Sequence, residues 1–67
     1  MSVAKVSEIS ATSTKGFEDA VQQGLARADQ TLRNIQGAWI KEQHVHCEKG
    51  TITSYRVNMM VTFVLDD

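Results

Sequence analysis

No proline interrupts this chain, and it contains no low-complexity stretch and no internal repeat. It therefore reads as one unit spanning residues 1–67. Cysteine is nearly absent too: Cys47 stands alone, so no intrachain disulfide forms. No Cys-x-x-Cys or His-Glu-x-x-His spacing supports a structural zinc site. Neither sign of charge dominates. Seven Lys and Arg face eight Asp and Glu, for a formal net charge of -1, and the two signs are interspersed. Without a basic patch to neutralise phosphates, a nucleic-acid partner has no support. No apolar run approaches the roughly 20 residues needed to span a bilayer. The start, Met1-Ser2-Val3-Ala4-Lys5, lacks the apolar stretch of a secretory signal. With a lone cysteine, the expected setting is a reducing cytoplasm.

Length sets the next constraint. A domain of 67 residues buries only about 60% of the surface its unfolded chain exposes. Natural proteins of this size add disulfides, a structural metal or partner subunits. With the first two unsupported, association with other copies is the expected source of stability.

The pattern along the chain is strand, helix, strand, strand. Val3 to Ser10, with Val3, Val6 and Ile9, predicts a first strand. Ala11-Thr12-Ser13-Thr14 is a polar break in which Ser13 or Thr14 is placed to cap a helix. Glu18 and Asp19 then lie where the helix dipole favours negative charge. From Lys15 to about Asn34, Phe17, Ala20, Val21, Leu25, Ala28, Leu32 and Ile35 recur at helical spacing as one stripe. Gly24 within it costs about 1 kcal/mol relative to alanine, which points to close packing against another backbone. Gly37 is expected to stop or kink the helix. Ala38 to Cys47 predicts a second strand, Glu48-Lys49-Gly50 a hairpin turn with a bulge, and Thr51 to Leu65 a long third strand.

In that last strand Tyr55, Val57, Met59, Val61, Phe63 and Leu65 alternate without a break and form one apolar face for the helix. Ser54, Arg56, Asn58, Met60, Thr62 and Val64 form the other. On the neighbouring strand Gly37, Trp39, Lys41, Gln43 and Val45 share a parity. If Ala38 and Ile40 face the core, Trp39 points away from the helix and Glu42 and His44 towards it. The outer face then carries Trp39, Val45, Met60 and Val64 with no second helix to cover them. A partly apolar open face marks an interface or a ligand site.

The order and spacing of Thr14-Lys15-Gly16-Phe17-Glu18-Asp19-Ala20-Val21, Ala26-Arg27-Ala28, Thr31-Leu32-Arg33-Asn34-Ile35 and Tyr55 to Leu65 resemble the dodecins across essentially the whole chain. The resemblance implies an α+β fold, β-α-β-β, with an antiparallel sheet wrapped around one helix. It implies a hollow homododecamer with subunits meeting at two-fold and three-fold axes. It also implies pairs of flavins (riboflavin, FMN or FAD) held near the two-fold axes, each stacked on a tryptophan and hydrogen-bonded to a glutamine of the last strand. Such proteins store or buffer flavin and catalyse nothing.

Carried over by position, the stacking tryptophan falls on Gly37 and the glutamine on Arg56. Gly37 offers no π-face, and Arg56 donates hydrogen bonds without accepting any. Trp39 lies about 6 to 7 Å further along the strand on the same parity. It is placed either to substitute for the missing ring or to fill the space a flavin would occupy. The expected ligand-binding residues are therefore Gly37, Trp39 and Arg56. The competing function is a structural or sequestering shell that has lost flavin and holds another ligand, an ion or nothing.

The remaining candidates read as ordinary surface. His44 and His46 share a strand face, but a stable metal site needs a third or fourth ligand. Glu8, Glu42, Asp66 and Asp67 offer oxygen ligands for a hard cation only if symmetry gathers them. Cys47 lacks a placed base, because His46 projects to the opposite side of the strand. No nucleophile and base converge anywhere, so no enzyme activity and no catalytic residue are expected.

Overall fold

The computed structural model describes residues 2–65. Its elements are β1 (Ala4–Ser13), α1 (Phe17–Asp29), β2 (Ile35–Glu48) and β3 (Thr51–Val64). The three strands form one antiparallel sheet in the order β1-β3-β2. The class expected from sequence, β-α-β-β with one helix on an antiparallel sheet, is the fold observed.

The core is built from the alternating face of β3. Val57, Met59 and Val61 are fully buried together with Ala20 of α1, and Ile9, Ala11, Phe17, Val21, Leu25, Leu32 and Ile35 pack around them. Small residues at helical spacing, Ala20, Gly24 and Ala28, bring α1 down onto the sheet. A Cβ at Gly24 would lie 2.3 Å from Met59 Cε and 3.0 Å from Ala11 Cβ. The glycine is there because the helix approaches too closely for any side chain. Phe17 meets Tyr55 edge to face, with ring centroids 5.2 Å apart.

The helix is shorter than its apolar stripe predicts. It ends at Asp29, and Asn34 takes a left-handed conformation with φ 59° before β2 begins, a conformation asparagine tolerates better than most residues. Leu32 and Ile35 still reach the core, so they keep a helical rhythm without being helical. Gly37 lies inside β2, beside a bulge between Ile35 and Gly37, and does not end the helix. The helix entry also differs from expectation. Gly16 occupies the cap position, with no side-chain cap. Ser13 instead closes the strand-to-helix turn: its hydroxyl accepts from the Lys15 N–H at 2.9 Å and donates to Asp19 Oδ2 at 2.6 Å. At the hairpin tip Lys49 and Gly50 both have positive φ, 51° and 77°, as a tight two-residue turn between right-twisted strands requires.

The chain is too open to be a finished globule. It measures 52 × 19 × 13 Å with a radius of gyration of 13.8 Å, against about 11 Å for a compact domain of this length. Its accessible surface is 4945 Å², where a compact monomer would expose about 4,200 Å². The shortfall is concentrated in β2, where every residue after Ile35 is exposed. Helix α1, roughly 20 Å long, packs on β1 and β3 and cannot cover a 14-residue strand that runs for about 46 Å.

Candidate functional site

The sheet face turned away from α1 is set by the strand register. Residues paired across antiparallel strands share a face. Since Met59 is buried under the helix, its neighbours Met60 and Asn58 point outward. Trp39 pairs with Met60 and Gly37 with Thr62, so Trp39 and Gly37 lie on the outer face as expected. Trp39 is 52% exposed, and a Cβ on Gly37 would meet nothing within 4 Å.

Beyond Ile40 the expected parity fails. A bulge between Ile40 and Glu42 inserts Lys41 and shifts the register by one, which turns the side chains from Glu42 to His46 to the opposite face until a second shift between His46 and Cys47. Glu42 pairs with Asn58, His44 with Arg56 and His46 with Ser54. Glu42 and His44 therefore stand on the outer face beside Arg56, and not on the helix side. Gln43 and Val45 pair with Val57 and Tyr55, so they lie on the helix side.

The result is a face in two halves. Towards one end lie Trp39, Gly37, Met60, Thr62 and Val64, with Val6 of β1 opposite Thr62. Towards the hairpin end lie Glu42, His44, His46, Asn58, Arg56 and Ser54, with Thr12 of β1 opposite Arg56. Between the halves Lys41 of β2 reaches across the central strand to Glu8 of β1, with Nζ 3.2 Å from Oε1. Both side chains are about half exposed, so this ion pair contributes little to stability. In the polar half the Asn58 amide donates to Glu42 Oε1 at 2.8 Å and lies 3.5 Å from His44 Nε2. Arg56 Nε donates to Thr12 Oγ1 at 3.4 Å. Thr12, His44, Val45, His46, Ser54 and Arg56 line a recess of about 220 Å³.

Of the residues expected to bind a ligand, Gly37 and Trp39 lie together in the apolar half, while Arg56 sits about 13 Å from Trp39 along the face. Sequence reading missed Thr12, Ser54 and the contribution of Asn58. One signal for them was available: Ile40 and Val45 are both apolar but of opposite parity, which a single bulge among the charged residues between them reconciles. Among the described residues no group of three or more His, Cys, Asp or Glu is placed to hold a metal ion. Asp66 and Asp67, named as possible cation ligands, lie outside the described residues. Cys47 is free and exposed. No helix among the described residues is long and apolar enough to cross a membrane.

The fold and this face define a class of small β-α-β-β proteins in which one helix lies on a sheet longer than it can cover. The dodecin family profile matches residues 3–66. The dodecin of Thermus thermophilus is 35% identical over 65 residues, covering 97% of this chain and 94% of that protein. An Arg→Ala variant of the T. thermophilus dodecin superposes with a TM-score of 0.93 at 34% identity, with both chains fully covered. The dodecin from Streptomyces davaonensis gives 0.92 at 33% identity, covering 98% of this chain and 97% of that one. This chain belongs to the dodecin family.

Proposed function

We propose that this chain is a dodecin-type small-molecule binding protein that works as a homododecamer and stores or buffers a flavin (riboflavin, FMN or FAD) without chemical turnover. The whole chain acts as one binding unit, in the cytoplasm, with copies of itself as its protein partners. Trp39 carries this reading. A large aromatic side chain, half exposed on an open sheet face and beside a glycine with free space above it, is placed to stack on a flat ring. Trp39 supplies the π-face that Gly37 lacks, and Arg56 supplies donors further along the face. Family membership supports the ligand class, and the uncovered length of β2 supports the assembly.

The departures at Gly37 and Arg56 favour a second reading, in which the shell is kept and flavin is replaced by another cargo. Titrating riboflavin with the purified oligomer separates the two. Saturable quenching of flavin fluorescence at a fixed ratio to subunits is the expected result. No quenching at protein concentrations well above the micromolar range would leave the second reading.

A further inference from the structure

We propose that the recess at the hairpin end of the open face is an anion site that takes the phosphate or carboxylate of a bound ligand. This deepens the proposed function and rests on it: the stored molecule is an anionic one, with its flat ring at Trp39 and its acidic group at Arg56.

All three strands contribute to the recess: Thr12 from β1, His44 and His46 from β2, and Ser54 and Arg56 from β3. Apart from Val45, every lining side chain offers a hydrogen-bond donor. The Arg56 Nε bond to Thr12 Oγ1 is the guanidinium's only side-chain partner among the described residues. That bond uses the Nε–H and leaves the terminal N–H groups of the fork for a bidentate acceptor such as phosphate or carboxylate. Carboxylates on the same face are engaged elsewhere, Glu8 with Lys41 and Glu42 with Asn58. A positively charged fork in a polar recess, with no carboxylate of its own, calls for an anion.

The spacing agrees. Trp39 and Arg56 are about 13 Å apart along the sheet, so one ligand with a ring at one end and an acidic group at the other spans them. The two imidazoles add ring N–H donors to the recess. Around them stand Arg56 on β3 and Glu42 on β2, which the Asn58 amide links to His44. From β1 only the uncharged Thr12 faces them.

The test compares riboflavin with FMN, which differ only by a phosphate, on the assembled full-length protein. FMN is expected to bind about tenfold more tightly or better, as a charge-assisted bidentate contact implies. Arg56→Gln should collapse the FMN-to-riboflavin ratio towards one, and His44→Gln with His46→Gln should lower it. Equal affinities in the wild type, or a ratio unchanged in Arg56→Gln, would overturn the proposal. So would loss of the preference on dialysis against EDTA, which would assign the anion to a metal held by the histidines. If neither flavin binds, the flavin reading fails, and inorganic pyrophosphate decides the anion site by itself. Pyrophosphate binding seen by 31P NMR and weakened in Arg56→Gln supports the site, and no binding overturns it.

Discussion

Replacing Gly24 by alanine tests how the fold is held together, because two effects of known size oppose each other there. Alanine in a helix interior gains about 1 kcal/mol over glycine. Against this, the new Cβ would lie 2.3 Å from Met59 Cε and 3.0 Å from Ala11 Cβ. The Met59 methyl is the end of a flexible side chain, but Met59 is fully buried among Val57, Val61 and Ala20, so moving it disturbs its packed neighbours. Overpacking of this kind costs about 1–3 kcal/mol, and the Ala11 contact involves a side chain that cannot move without its strand. The larger effect wins, and Gly24→Ala is expected to destabilise by about 1 kcal/mol net. For a chain of this size that lowers Tm by roughly 4–8 °C. Thermal unfolding followed by circular dichroism, at one fixed protein concentration because assembly makes Tm concentration-dependent, reads the change. Met59→Leu, which removes the clashing atom at similar volume, should recover part of the loss in the double variant. A Gly24→Ala protein that melts at or above the wild-type temperature would refute this account of helix–sheet packing.

Three further outcomes are expected. Trp39→Ala should weaken flavin binding by about 2 kcal/mol, some thirtyfold, as loss of a central aromatic anchor does; unchanged affinity by fluorescence titration would remove Trp39 from the site. Val45→Glu places a charge on the helix-side face of β2 that α1 does not cover. Size-exclusion chromatography should show it as a smaller species, and an unchanged elution volume would mean that this part of β2 is not an interface. Ser13→Ala concerns acid stability. The Ser13 hydroxyl, its effect partly opposed by desolvation and aided by the Gln23 amide and the Lys15 charge, lowers the Asp19 carboxyl below its ordinary 3.8. A lowered carboxyl stabilises the fold above pH 3.8 and loses that contribution as pH falls through its folded-state value. Ser13→Ala should move the Asp19 carbon resonance titration upward and flatten the acid limb of the stability curve; an unmoved titration would contradict the hydroxyl's role.

The elements that were legible in the sequence are those whose periodicity a single chain enforces. The face of Val57, Met59 and Val61 was plain because strict alternation meets one helix stripe, and Gly24 was plain because its cost in a helix demands a packing reason. The helix end was not legible. Leu32 enters the same core from the connecting segment and Ile35 from the start of β2, so the apolar rhythm outlasts the helix. The polar half of the outer face was hidden for a related reason. The bulge at Lys41 reverses the side of Glu42 to His46, and in the sequence only the opposite parity of Ile40 and Val45 records the inserted residue. Thr12 and Ser54 join the recess only through register, since β1 and β2 each pair with β3 and the recess gathers residues from all three strands.

On the proposed function, the open sheet face holds a flavin within an assembly of this chain. Sedimentation velocity recorded at two wavelengths, one for protein and one in the visible band of added FMN, tests both halves of that claim at once. A single boundary of dodecamer mass that carries both signals is the expected result. Protein sedimenting at the 7.4 kDa of one chain, or an assembled boundary that leaves the FMN behind, would contradict it.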